Sequence, residues 1–177
     1  MRRFLIALFL AVSLAPVQDA RAIEDHPLRL LVNAEPVTGT TLARADVEAR
    51  PVVVTFFASW CPPCTDEFKA LNAVRESYGE DKLTIVAVNI FEKWGGKENP
   101  VRMARFLKRT KPQFFVVKGS EAMAKGFGNI TRIPSLIVYD PKGEEVWRFV
   151  HLKGAKKMSA TTEEIVKAVR GALDGDT

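Results

Sequence analysis

Residues 52–68 of the chain read VVVTFFASWCPPCTDEF. The stretch begins with an apolar, β-branched run over residues 52–58, which predicts a buried strand. Apolar residues then recur at helical spacing and predict a helix over residues 62–78: Phe68, Leu71 and Val74. Cys61 and Cys64, the only cysteines of the chain, therefore lie where a strand passes into a helix.

The position of Cys61 favours its deprotonated form. The first backbone N–H groups of a helix lack internal partners and, together with the helix dipole, favour negative charge at the N-terminus. Cys64 follows one turn later on the same side, where the two sulfurs can bond to each other. Pro62 and Pro63 suit the first helical turn, because no helical hydrogen bond is lost there. We therefore expect a redox-active pair with Cys61 as the nucleophile.

Two other uses of the cysteine pair have to be weighed. A structural disulfide across so short a loop removes little entropy from the unfolded chain, so it stabilises poorly. A zinc or copper site needs ligands beyond two cysteines, and His26 and His151 are the only histidines. The pattern favours redox chemistry, with no metal and no cofactor besides the Cys61–Cys64 disulfide.

The motif Trp60-Cys61-Pro62-Pro63-Cys64 behind a hydrophobic strand resembles the active site of thioredoxin-fold proteins. The finer resemblance is to the TlpA/ResA-like periplasmic thiol-disulfide oxidoreductases, which include reductants of cytochrome c maturation, and it extends from about Val37 onward. It implies an α/β thioredoxin fold, with a mixed central sheet, helices on both faces and a short N-terminal extension. It also implies an enzyme that acts through a mixed disulfide, which Cys64 resolves.

Residues 1–22 have the features of a secretory signal peptide. Arg2 and Arg3 precede an apolar run over residues 4–14, and Ala20-Arg21-Ala22 is a small-x-small cleavage site. The run is shorter than the roughly 20 residues that span a bilayer, so an uncleaved anchor is the less favoured alternative. Export predicts a periplasmic location, where a dithiol needs an electron donor or an oxidising role.

Composition and charge limit the classes of partner. The 177 residues are 47% hydrophobic and 27% charged, which argues for a globular domain and against disorder or a polytopic membrane protein. Loss of residues 1–22 would lower the formal net charge from +5 to +3, a mild excess that does not indicate nucleic acid. The expected partners are client proteins bearing cysteines or disulfides and, from the resemblance, a membrane thiol-disulfide electron donor.

The sequence predicts a signal peptide at 1–22, an N-terminal extension at 23–50 and a thioredoxin-like domain at 51–177. Within the extension, short strands are predicted at Leu28–Val32 and Thr40–Leu42, and a helical turn at Ala43–Ala49.

The remainder of the domain shows regular strand and helix signals. Further strands are predicted at 83–90, 114–117, 135–139 and 145–150, and helices at 100–109, 121–126 and 162–173. Asn99, Ser120 and Thr161 are the predicted helix caps. The helix between the first two strands predicts parallel pairing, and the turn signal at residues 140–143 predicts an antiparallel hairpin.

Ile133-Pro134, which precedes the predicted strand at 135–139, is the second candidate site. Thioredoxin-fold proteins have a cis-proline at the matching place, facing the cysteines, and the resemblance implies the same here. A cis bond would turn the backbone of Ile133 outward to pair with an extended client chain. The alternative is an ordinary trans proline at the start of an edge strand. Trp60 is expected to shield the sulfurs and, with Pro62 and Pro63, to contact partners.

The resemblance also bears on proton transfer. Thioredoxin has a buried aspartate on the central strand at the position of Thr55, which cannot act as a base. The ResA-like members instead have a glutamate three residues after the second cysteine, matched by Glu67, and a second acidic residue, for which Glu92 is the candidate. Burial would raise the pKa of Glu67 into the range useful for a proton acceptor. The alternative for Glu67 is an exposed residue near a helix N-terminus.

The sequence leaves several other functions open for a protein of this fold. A copper-handling protein of the same fold is disfavoured, because such relatives usually have three residues between their cysteines and a histidine ligand. A peroxidase of the peroxiredoxin type uses a different motif, and a disulfide-donating oxidant would use the same chemistry in reverse. Arg102, Arg105 and Arg109 share one helix face, which is expected to be a solvated face rather than a partner-binding patch.

Overall fold

A six-stranded mixed sheet forms the centre of the fold in the computed structural model, which describes residues 26–39, 41–93 and 97–175. The strands are β1 (Pro36–Thr38), β2 (Val52–Phe57), β3 (Thr84–Asn89), β4 (Phe115–Lys118), β5 (Ser135–Tyr139) and β6 (Glu145–Val150), in the order β1-β4-β3-β2-β5-β6. The strands β2, β3 and β4 are parallel, whereas β1, β5 and β6 pair in antiparallel fashion. The predicted parallel unit and hairpin are therefore confirmed.

Six helical elements connect and cover the strands. They are a 3₁₀ helix (Pro27–Leu31), α1 (Arg44–Val47), α2 (Pro62–Tyr78), α3 (Pro100–Thr110), α4 (Glu121–Gly126) and α5 (Thr162–Asp174) in the described part of the chain. The side chains of Asn99, Ser120 and Thr161 accept backbone N–H groups of α3, α4 and α5, as predicted. No helix among the described residues is long and apolar enough to cross a membrane.

The strand β2 separates two layers of core because successive side chains point to opposite faces. Val54 and Phe56 pack in the cluster that includes the 3₁₀ helix, α1 and α4. Val53 and Phe57 face the side covered by α2, α3 and α5. Helices thus lie on both faces of a mixed sheet, which confirms the predicted thioredoxin fold.

The predicted strand at Leu28–Val32 is wrong, because this segment forms the 3₁₀ helix. Pro27 occupies its first position, and the Nδ1 atom of His26 accepts the backbone N–H of Leu28 at 3.2 Å. Residues three apart share one side of a 3₁₀ helix, so Leu28 and Leu31 are both buried. An apolar run this short does not distinguish a strand from such a helix.

The strand predicted at Thr40–Leu42 is absent from the part of this segment that the structure describes. Thr40 lies outside the described residues, and residues 41 and 42 are not in a strand. The strand of this region is β1, which adds an edge to the sheet by pairing with β4. The helical turn predicted at Ala43–Ala49 is present as α1. The signal peptide predicted at 1–22 lies outside the described residues.

Candidate active site

Cys61 and Cys64 form a disulfide at the N-terminus of α2, with an S–S distance of 2.02 Å. Cys61 is the N-cap of the helix, and its Sγ atom accepts the backbone N–H of Cys64 at 3.3 Å. A sulfur in this position gains from an N–H donor and from the helix dipole when it is negatively charged. Cys61 is 4% exposed and Cys64 is fully buried, so the sulfur of Cys61 is the more accessible of the two.

The sequence around the cysteines accounts for their placement. The strand β2 ends at Phe57, and the N–H of Cys61 donates to the carbonyl of Ala58 at 3.1 Å, which closes a turn. Pro62 and Pro63 then occupy the first helical positions, with Pro62 exposed beside the disulfide. The helix α2 packs on β2 and α3 through a fully buried aromatic cluster. In this cluster Phe57, Phe68 and Phe106 contact one another, with ring centroids 4.7 to 5.2 Å apart.

Glu67 is completely buried on the face of α2 that packs on the sheet. The hydroxyl of Thr55, on the central strand β2, donates a hydrogen bond to Oε1 of Glu67, whereas Oε2 has no hydrogen-bond partner. Burial raises the pKa of Glu67 to about 7, against the opposing effects of the Thr55 hydroxyl and the backbone amide of Ala160. Because Glu67 follows Cys64 by one helical turn, the two side chains lie along the same side of α2.

Glu92 has different surroundings from Glu67. Its carboxylate accepts hydrogen bonds from the backbone N–H of Ser59, from the Ser59 hydroxyl at 2.8 Å and from Nδ2 of Asn89 at 2.9 Å, and it pairs with Arg102 at 3.3 Å. Burial alone would raise the pKa of Glu92, but these donors outweigh it and the pKa lies below its usual value. The proton-acceptor role predicted for Glu92 stays a prediction, and its hydrogen bonds favour an ionised side chain that positions Ser59.

The three arginines predicted to form a solvated face of α3 have separate environments. Arg102 donates to the Ser59 hydroxyl at 3.0 Å and to the carbonyl of Glu92 at 3.2 Å, so the prediction is wrong for this residue. Arg109 donates to the hydroxyl of Thr65 on α2 at 3.1 Å, while Arg105 is exposed. Two of the three side chains therefore reach back to the segment that carries the cysteines.

The peptide bond between Ile133 and Pro134 is cis, as predicted. Ile133 is partly buried against the cluster that contains both cysteines. Its carbonyl oxygen lies 3.2 Å from Nδ1 of His151, and the backbone N–H of His151 donates to the carbonyl of Pro134 at 3.1 Å. Trp60, which directly precedes Cys61, is half-buried and donates from Nε1 to the carbonyl of Phe91 at 2.9 Å. The client-binding roles of these residues stay predictions.

Sequence reasoning missed three features of this site. Thr55 cannot act as a base, so the sequence does not mark it as a site residue. A lone polar residue in an apolar strand does, however, indicate a buried hydrogen-bond partner, which here is Glu67. The sequence places Arg102 and Arg109 on one helix face but does not indicate that they contact Ser59 and Thr65. His151 was considered as a metal ligand, yet it contacts the segment containing Pro134. Among the described residues, no group of three or more His, Cys, Asp or Glu side chains is arranged to hold a metal ion.

A thioredoxin fold with a disulfide between the N-cap of the active-site helix and the residue one turn on defines a thiol-disulfide oxidoreductase. The chain belongs to the Redoxin family, whose family model matches residues 19–166.

Named relatives agree with this class. The chain is 25% identical over 117 residues to the sporulation thiol-disulfide oxidoreductase A of Bacillus subtilis, covering 66% of this chain and 69% of that protein. It is 23% identical over 112 residues to the thiol-disulfide oxidoreductase ResA of the same organism, covering 63% of this chain and 59% of ResA. The crystal structure of a secreted Mycobacterium tuberculosis disulfide oxidoreductase homologous to E. coli DsbE superposes with a TM-score of 0.62 at 17% identity, covering 81% and 98% of the two chains.

Proposed function

We propose that this oxidoreductase is exported to the periplasm and reduces disulfides of client proteins, such as apocytochrome c or metal-site cysteines. The observation that carries the proposal is the position of the Cys61 sulfur at the N-terminus of α2, bonded to a fully buried Cys64. This arrangement suits an outer sulfur that meets the client and an inner sulfur that releases it. Export is supported by the signal-peptide features of residues 1–22 and by the secreted structural relative.

The reaction proceeds in two exchanges. The Cys61 thiolate attacks one sulfur of the client disulfide, so that a Cys61–client bond forms, the client bond breaks, and the departing client sulfur takes up a proton. Glu67 accepts the proton of Cys64, whose sulfur then attacks Cys61. The Cys61–Cys64 bond forms, and the second client sulfur leaves as a thiol with a proton. Two electrons pass to the client, and a membrane thiol-disulfide donor restores the dithiol without a further cofactor.

The residues around the pair supply the contact surface for the client chain. The backbone of Ile133, which packs against the cluster that contains both cysteines, pairs with an extended client segment. Trp60 and Pro62 line a depression together with Cys61, and Pro63 follows in the first turn of α2. These three residues contact the client on either side of its reacting cysteine.

The charges near the sulfurs support the reducing direction of this proposal. A strong oxidant needs a greatly stabilised thiolate in its reduced form. An ionised Glu67 opposes negative charge at the sulfurs, whereas the charge of Glu92 is balanced by Arg102. We therefore expect a reduction potential near the thioredoxin value of about −270 mV rather than the strongly oxidising value of about −120 mV.

The test combines trapping with a redox titration. Reduced Cys64→Ser protein should retain clients from periplasmic extract in mixed disulfides through Cys61, whereas the matched Cys61→Ser variant should retain far fewer. Equilibration of the wild-type protein with glutathione buffers gives the potential. Equal trapping by both variants would contradict the assignment of the nucleophile, and a potential near −120 mV would make the protein a disulfide donor instead.

A further inference from the structure

An open depression of about 350 Å³ lies directly beside the disulfide. Its walls are formed by residues 59–62 and 65–66, at the start of α2, and by Arg109 of α3. This volume is at the lower end of the range of small-ligand pockets, about 300 Å³ and above, and is large enough for one side chain of a client. Because Cys61 itself lines the depression, a residue adjoining the reacting cysteine of a client can reach it.

The guanidinium of Arg109 is held at the rim of the depression by two contacts. It donates to the Thr65 hydroxyl at 3.1 Å, and its Cζ atom lies 5.6 Å from the ring centroid of Phe106. Both contacts leave its positive charge in place, and no carboxylate of the described residues pairs with it. Asp66, which also lines the depression, is paired with Lys69 at 3.0 Å. An exposed and oriented cation thus remains beside the reacting sulfur.

The helix that carries Arg109 strengthens the positive field. The sequence of α3 contains four basic residues and no acidic one. Arg102 is neutralised by Glu92, whereas Arg105, Lys108 and Arg109 are exposed. A surface of one sign attracts segments of the opposite sign and repels those of the same sign.

We propose that Arg109 forms a specificity subsite that binds an acidic side chain adjoining the reacting cysteine of the client. This inference rests on the proposed reduction of client disulfides and names the class of client segment preferred. The guanidinium is suited to a carboxylate because its fork of donors matches the two oxygens, and contact with Thr65 occupies only one of its donor groups. The subsite selects among clients and takes no part in the exchange of electrons.

The experiment measures the reduction of three synthetic peptides, each with one internal disulfide. The peptides differ only in the residue adjoining both cysteines, which is Glu, Gln or Lys. Reduced protein is mixed with excess peptide, samples are quenched in acid, and peptide thiols are quantified by chromatography. The quantity compared is the ratio of the second-order rate constants for the Glu and Gln peptides. This ratio cancels any effect of a substitution on the reactivity of Cys61, since the same sulfur attacks both peptides.

At low salt we expect the wild type to reduce the Glu peptide about two- to five-fold faster than the Gln peptide, as an exposed ion pair allows, and the Lys peptide more slowly. In Arg109→Gln the ratio should fall close to one, and in Arg109→Lys it should be partly retained. Arg105→Gln removes the same charge from α3 outside the depression and should leave the ratio at the wild-type value.

Three outcomes overturn the inference: no preference in the wild type, an unchanged ratio in Arg109→Gln, or an equal loss of preference in Arg105→Gln, which would indicate a diffuse field. Failure of the wild type to reduce any peptide would instead refute the proposed reducing function, and with it the premise of the subsite.

Discussion

Replacement of Glu67 by Gln should make the oxidised protein more stable than the wild type at alkaline pH. The carboxyl of Glu67 is fully buried, and only Oε1 has a hydrogen-bond partner, the Thr55 hydroxyl. Ionisation at this place costs free energy because the charge is removed from water, and the Thr55 hydroxyl and the Ala160 amide offset only part of that cost. A glutamine keeps the shape of the side chain and cannot ionise.

The magnitude follows from the difference between the folded and unfolded pKa. Burial raises the pKa of Glu67 from 4.5 to about 7, and each pKa unit corresponds to about 1.4 kcal/mol, so full ionisation costs about 3 kcal/mol of folding free energy. Because the folded pKa is the higher one, the contribution of Glu67 to stability is fully present below pH 4.5 and is lost as the pH rises to about 7. Above pH 7 the cost stays constant.

Urea denaturation of the oxidised wild type and Glu67→Gln at intervals from pH 4 to pH 8.5 measures this difference. The free energy of unfolding of the variant, relative to the wild type, should increase by about 3 kcal/mol over this range. Glu76→Gln is the matched control, because Glu76 is an exposed glutamate on the same helix, and its difference from the wild type should not follow that course. A difference for Glu67→Gln that is independent of pH, or that has the opposite sign, would refute the reasoning.

Two further predictions concern the neighbours of the cysteine pair. Thr55→Val removes the hydroxyl that stabilises the Glu67 carboxylate, so the pH midpoint of thiol exchange should move up by about one unit. Thr55→Ser keeps a hydroxyl and should retain the wild-type midpoint. The same midpoint in the wild type and both variants would contradict a role for this hydrogen bond. Glu92→Gln should cost about 1–3 kcal/mol of stability at pH 7, because Ser59 and Arg102 lose a charged partner. Since the folded pKa of Glu92 is lowered, this loss of stability should shrink as the pH falls below 4.5. Urea denaturation at acid pH measures it, and a loss that stays the same there contradicts the stabilising role of the Glu92 charge.

Much of the fold is predictable because its signals are local. Asn99 followed by Pro100 specifies where α3 begins, and the Thr161 hydroxyl with the Glu164 carboxylate specifies the start of α5 through a capping box. The apolar run of β2 predicts a strand that is buried on both sides, as observed. These features depend on residues within a few positions of each other, so the sequence alone contains the physical cause.

The extension and the surroundings of the site are less predictable because their causes are not local. Whether Leu28 and Leu31 belong to a strand or to a 3₁₀ helix depends on the surface that they cover, which includes Phe127 and Ile130 from a distant part of the chain. The charge on Glu92 likewise depends on Arg102, which the fold of α3 brings to it across the intervening loop. Hydrogen bonds between side chains that are remote in sequence leave no periodic pattern to detect.

The two glutamates that the resemblance associates with proton transfer have opposite electrostatic environments. A group that takes a proton from a thiol at neutral pH and later returns it needs a pKa near 7, because a much lower value leaves it too weak a base. Glu67 meets this condition, since burial outweighs the effects of the Thr55 hydroxyl and the Ala160 amide, whereas Glu92 has a lowered pKa and four donor contacts. These environments suit two different tasks: Glu67 can change its protonation near pH 7, whereas Glu92 is ionised at that pH and accepts hydrogen bonds from Ser59, just before Cys61.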